Sequence, residues 1–147
     1  NDSNDNRSKV LIHNHRCIDH VLVLDAVTSK LTEQPVTGTA PSARGLHACV
    51  RLPGTSKMLL FGGAAQSGTM SNEVFVLDTE RWVWEEPRVC SSTTKSGDDE
   101  TETENETEKS VPCPRASPCL VALDSSTCLL FGGAAPSSEM GLHGLND

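Results

Sequence analysis

The chain has no tyrosine in its 147 residues, which excludes any site that needs a tyrosine ligand. No apolar run approaches the roughly 20 residues of a membrane span, and no charged-then-apolar leader is visible, so a soluble segment with no membrane insertion is expected. Six cysteines, Cys17, Cys49, Cys90, Cys113, Cys119 and Cys128, form no Cys-x-x-Cys pair, and no paired histidine spacing accompanies them. No metal site is expected from them; small buried thiols in a reducing, cytoplasmic setting are. No stretch carries a helical period with caps.

Charge of one sign is scarce outside a single run. Seven acids and one base lie between Asp98 and Lys109, a local −6 out of the net −8. The remainder is near neutral, which gives no support to a nucleic-acid partner or an anionic membrane surface. The stretch 88–111 is rich in Ser, Thr, Glu and Asp and has too little apolar surface to offset the entropy of ordering, so it is expected to be a disordered insertion. Ser96, Thr101 and Thr103 each have an acid three residues on, the context of acidophilic kinases. The insertion is thus either a tolerated surface loop or a charged contact for a basic partner. The triplets Asn1-Asp2-Ser3 and Asn105-Glu106-Thr107 fit the glycosylation sequon and would matter only in a secreted parent.

What the chain does contain is repetition. Leu59 to Ala65 and Leu129 to Ala135 are the same heptapeptide, Leu-Leu-Phe-Gly-Gly-Ala-Ala, 70 residues apart. Upstream stand Pro41-Ser42-Ala43-Arg44 and Pro112-Cys113-Pro114-Arg115, 71 apart. Val21-Leu22-Val23-Leu24-Asp25 recurs as Val74-Phe75-Val76-Leu77-Asp78 at a separation of 53. Removing about 20 residues from the acidic stretch brings the longer spacing to roughly 50. Lys9 to Asn14 lines up weakly with Lys57 to Gly62, and Leu145-Asn146-Asp147 resembles Ser71-Asn72-Glu73.

The apolar segments are short, β-branched or aromatic, and bounded by turn residues. The complete unit is read as strand A at about 46–52, B at 57–62, C at 73–78 and D at 81–86. Leu52 to Ser56 and Leu123 to Thr127 are expected as A–B hairpin turns. The expected organisation is a polar tail (1–8), the end of a degenerate unit with strands B to D (9–40), a complete unit (41–87), the insertion (88–111) and the start of the next unit (112–147). A start at Asn1 and a stop inside a motif read as a segment of a longer protein.

The order Pro-x-x-Arg-x-x-His, strand, Leu-Leu-Phe-Gly-Gly, loop, Asn-Glu-Val-Phe-Val-Leu-Asp, then Trp resembles the kelch repeat, over about residues 9–87 and 112–147. The resemblance implies an all-β, kelch-type β-propeller fragment of four-stranded antiparallel blades, completed by the remaining blades of a parent propeller. It implies that Trp84 is a blade-packing tryptophan, with Leu31 in its place in the preceding unit. Arg44 and His47 match the family's first-strand pair, and Arg115 and Pro118 replace them in the next unit. His47 is expected to be a hydrogen-bonded structural residue. His13-Asn14 stands where the preceding unit should have its Gly pair.

No catalytic, cofactor-binding or metal residue is assigned. The Gly pairs lack the Gly-Lys-Ser/Thr of a phosphate loop, the sialidase box is absent, and kelch-type copper oxidases need the missing tyrosine. Alternation of connections in a blade puts B–C loops, Ala64 to Ser71 and Ala134 to Gly144, on one face with the D-to-A links. A–B and C–D turns occupy the other. The expected function is a non-catalytic scaffold that binds protein partners through the loop-and-link face. The alternative is the propeller portion of an enzyme whose catalytic residues lie outside the segment. A segment of two to three blades is expected to leave two flanks bare and to be poorly soluble or oligomeric alone.

Overall fold

The computed structural model describes residues 17–87, 111–137 and 141–147. The weak copy at 9–14, Cys90, and the run 88–110 with Ser96, Thr101 and Thr103 lie outside these residues. In chain order the strands are β1 (Val21–Asp25), β2 (Lys30–Gln34), β3 (Thr37–Gly38), β4 (Ala48–Arg51), β5 (Lys57–Phe61), β6 (Val74–Asp78), β7 (Val83–Glu85), β8 (Cys119–Ala122), β9 (Cys128–Phe131), β10 (Ala134–Pro136) and β11 (Leu142–Gly144). There is no helix among the described residues, so the fold is all-β.

The central sheet has the order β3-β7-β6-β5-β4, and its strands β4 to β7 are an antiparallel meander. Two further strand pairs, β1–β2 and β8–β9, contact the central sheet, through Val21 of β1 and through β8 against β4. The pairs copy the central sheet residue for residue. Leu24 faces Leu31 across β1–β2 as Leu77 faces Trp84 across β6–β7, and Leu130 faces Leu120 as Leu60 faces Cys49. The loops copy as well. Asp25 and Asp78 each close a turn by accepting two backbone N–H bonds, from Val27 and Thr28 and from Glu80 and Arg81. The residue four positions on, Ser29 or Trp82, is left-handed in both, at φ 55°.

One difference between units has a definite place. Leu52 N–H bonds Lys57 O across four turn residues, whereas Leu123 N–H bonds Thr127 O across three. This single deletion in the A–B turn accounts for spacings of 71 before it and 70 after it.

Period-two alternation sends Leu60, Phe75, Leu77 and Trp84 to one side of the central sheet, where they form the buried cluster. Trp84 meets Phe75 edge to face at 6.4 Å and 89°. Val21 of β1 and Val36 pack against this cluster, so Trp84 does join neighbouring units. Leu31, its counterpart, is 57% exposed and joins nothing comparable. On the opposite side, Phe61 is 4% exposed while Phe131, from the same heptapeptide, is 55% exposed. Strand β8 contacts β4 of the central sheet, and no strand pair follows β9 among the described residues.

Several expectations need correction. The link after β2 is not a plain connection: its strand β3 pairs parallel with β7, and Thr37 and Thr39 donate to Trp82 O and Trp84 O. This added strand covers the outer edge of the central meander, an edge that would otherwise carry unpaired backbone groups. The segment 134–144, expected as a loop, contains the two-stranded ribbon β10–β11. Cys17 and Cys128 are half-buried and Cys49, Cys113 and Cys119 exposed, so none of the five described thiols is a core residue; β4 and β8, which carry Cys49 and Cys119, have a strand partner on one side only. His47 is exposed with no side-chain hydrogen bond among the described residues. Its neighbour Arg44 makes those contacts instead.

Candidate functional site

Two arginines organise one end of the strands. Arg44 follows Pro41 in an extended link, and its guanidinium donates to Ser42 O, Ser42 Oγ, Gly62 O and, at 2.7 Å, Glu73 Oε2. It also lies 5.4 Å from the Phe75 ring centroid. Arg115 repeats the pattern: it donates to Cys113 O, Gly132 O and both oxygens of Asp147, at 2.8 and 2.9 Å. Arg115 is 1% exposed. A planar fork suits this bidentate contact where an ammonium would not. The hydrogen bond from the Ser71 hydroxyl, then that from Arg44, holds the Glu73 carboxyl below the usual carboxylate range. Hydrogen bonds from Arg115 do the same for Asp147.

The glycine pair lies under each guanidinium. Gly62 and Gly132 have φ of 68° and 66°, and Gly63 and Gly133 both have 98°. A Cβ on Gly63 would sit 2.7 Å from Gly45 O, and one on Gly133 would sit 2.8 Å from Ala116 O. The pair therefore has two causes, a left-handed backbone and a crossing chain. Gly63 also joins units: its N–H donates to Arg115 O at 3.0 Å, while Arg115 N–H donates to Ser71 O. Asn72 Nδ2 reaches Pro112 O and completes this seam.

Two residues here have unusual backbones for their type. Leu46 and Ser117, one repeat apart, are left-handed at φ 57° and 51°. Ser117 N–H donates to Leu46 O at 2.7 Å, so equivalent positions of successive units are tied directly together. Leu46 is nevertheless 62% exposed. Nothing in the residue types marks either position, since leucine rarely adopts this conformation. Strain of this kind persists only where the surroundings enforce it.

The two ends of the strands are distinct. At one end the A–B and C–D turns touch: Thr79 donates to Ser56 O through both N–H and hydroxyl, and Ser56 Oγ bonds Asp78. At the other end the link and the B–C loop touch through the Gly45–Ala64 and Ala116–Ala134 bridges. At this loop end a cavity of about 520 Å³ is lined by Cys17, Ile18, Leu46, Ala64, Gln66 and Gly68, among others. A second, of about 540 Å³, is lined by residues including Gly68, Met70, Pro114, Pro136 and His143. Among the described residues no group of three His, Cys, Asp or Glu could hold a metal ion, and no helix is long and apolar enough to cross a membrane.

Comparison with known proteins agrees with this repeated geometry. The KLHDC2/KLHL20/DRC7 Kelch-repeats domain matches residues 11–140. The chain is 30% identical to host cell factor 1 of Homo sapiens over 126 residues, covering 86% of this chain and 5% of that protein. It is 31% identical to host cell factor 2 of Homo sapiens over the same length, covering 14% of that protein. Kelch domain-containing protein 2 of Bos taurus is 35% identical over 68 residues, 46% of this chain and 16% of that protein. The chain thus spans a small part of the length of these curated relatives. With one complete four-strand meander, flanking strand pairs that copy its register, and a glycine pair repeated 70 residues on, it belongs to the kelch-repeat family, as a fragment of a kelch-type β-propeller.

Proposed function

We propose that this segment is a non-catalytic scaffold that binds a partner protein through the face made by its B–C loops and D-to-A links. The observation that carries the reading is the exposed, left-handed Leu46, held by a backbone bond from the next blade and set beside the cavity at the loop end. A rigid seam beneath variable loops is the arrangement that concentrates binding residues. The opposite face has short turns that bond one another through Thr79, Ser56 and Asp78, around a cavity of about 720 Å³ lined mostly by polar side chains such as Arg51, Thr55, Lys57 and Glu80. The acidic run 98–109, which in sequence falls between strand D of one unit and strand A of the next, would add a charged contact for a basic partner. A cytoplasmic location is proposed from the cysteine pattern, which lacks the spacing of a disulfide framework.

Site-specific photo-crosslinking in the full-length protein, expressed in its own cells, tests the face. Crosslinkers at Leu46 and Gln66 are expected to capture a partner protein, and those at Thr55 and Arg81 are not. Capture only from Thr55 and Arg81 would reverse the assignment.

A further inference from the structure

Among the described residues strand β1 has a partner, β2, along one edge only. Its counterpart in the central sheet, β6, is paired on both sides, by β5 and by β7. A bare edge carries unpaired backbone groups. Strand β2 runs on into β3, which pairs with β7, so β2 lies toward the β7 end of the central sheet and the bare edge of β1 toward β4. At that edge a cavity of about 260 Å³ lies between the two units. One wall is the lead-in to β1, from Ile18 to Leu22, and the other carries His47, Cys49, Met58 and Leu60 of the central unit.

The two faces of β1 are unequal. Val21 and Val23 are half-buried, and Val21 packs on the central cluster, whereas Leu22 and Leu24 are exposed. Directly opposed residues of an antiparallel pair share a face, so a strand added at the bare edge would set every second side chain against the central unit. The run Lys9-Val10-Leu11-Ile12-His13 aligns with Lys57 to Phe61, and seven residues, Asn14 to His20, separate it from β1. Within that separation Cys17 N–H bonds the Gln66 side chain at the loop end, where a B–C connection belongs. Carrying over the β5–β6 register puts Leu11 opposite Val23 and His13 opposite Val21, on the face toward the cavity. Val10 and Ile12 would then join Leu22 and Leu24 on the other face.

We propose that the segment Lys9 to His13 adds as a strand to the bare edge of β1, with Leu11 and His13 closing the cavity against His47 and Cys49. The residue types match across this seam. His47 and Cys49 stand where the next unit has Pro118 and Leu120, and His13 stands where the central unit has Phe61. The positions that are apolar in the later units thus become two imidazoles and a thiol together, groups that can hydrogen-bond one another. The added strand gives His47 a partner from outside the described residues.

Cross-linking and thiol labelling of the full-length protein test it. Leu11→Cys combined with Val23→Cys, and His13→Cys combined with Val21→Cys, are expected to yield a disulfide on mild oxidation at one pair or both, since opposed strand residues lie within its reach. Ile12→Cys combined with Val23→Cys, whose side chains would leave on opposite faces, is expected to yield none. Cys49 of the unaltered protein is expected to react with a maleimide more slowly than the exposed Cys113, and to lose that protection in Leu11→Asp or, should that variant fail to fold, in Leu11→Ala. Cross-linking at neither matched pair, or at the shifted pair alone, overturns the strand and its register. Cys49 labelled as fast as Cys113 in the unaltered protein overturns the closure of the cavity, and protection that survives every change at Leu11 shows that another segment covers it.

Discussion

Arg44 and Arg115 show how much of the fold depends on single side chains that span several chain segments. Each ties its link to a glycine carbonyl and to an acid further along the chain, Glu73 for Arg44 and Asp147 for Arg115. Arg115→Lys retains the charge and loses the fork, and is expected to cost about 2 kcal/mol, the range for hydrogen bonds to charged groups; urea unfolding of the full-length protein measures it. The acids have a pH consequence. Asp78, held down first by the Arg81 backbone N–H, joins Glu73 and Asp147 in having a lowered pKa. A carboxyl that is lowered on folding stabilises the native state above its unfolded pKa and ceases to do so as pH falls through its folded one. Stability is therefore expected to hold from neutral pH down to the usual carboxylate range and to decline below it, with a smaller decline in Glu73→Gln. Glycine offers a sharper contrast. Gly54→Ala, at φ 71° with open space around it, is expected to cost about 1 kcal/mol. Gly63→Ala must also displace the Gly45 carbonyl and is expected to cost about 3 kcal/mol or more.

At the scale of elements, the strands were legible because each is a short apolar run between turn residues, and the repeat supplied their order. The Arg–Gly-Gly core of the site was legible too, since Pro-x-x-Arg and the heptapeptide recur at matched spacings. The acid partners were visible only as a weak likeness between Leu145-Asn146-Asp147 and Ser71-Asn72-Glu73, with no signal that an arginine binds them. Strand β3 was not legible, because Thr37-Gly38 has no strand pattern of its own and is placed by the edge of β7. Nor was left-handed Leu46, whose conformation is imposed by the next blade. Trp84→Ala is expected to cost about 3–5 kcal/mol, as for other buried aromatic truncations, and Leu31→Ala less than about 1 kcal/mol. Thermal or urea unfolding separates the two. Replacing Pro53 to Ser56 by the Asp-Ser-Ser of the other A–B turn should be tolerated, since both close the same hairpin.

For the whole molecule, the faces of the blades are where neighbours belong. Phe61 and Phe131 share a heptapeptide, yet among the described residues the first is buried and the second exposed. Leu24 and Leu31 on one flank, and Val121, Leu129 and Phe131 on the other, are exposed large apolar residues. Residues 17–147 expressed alone are expected to self-associate in size-exclusion chromatography, and Leu31→Lys with Phe131→Lys should reduce that association. A sharp monomeric peak from the unaltered segment would contradict the bare-flank description. The central claim is that a partner protein is received on the loop-and-link face. Hydrogen–deuterium exchange of the full-length protein with and without its co-purified partner tests this most directly. Protection is predicted at 44–46 and 64–71, with little change at 53–56 and 79–82; protection confined to 53–56 and 79–82 would contradict it.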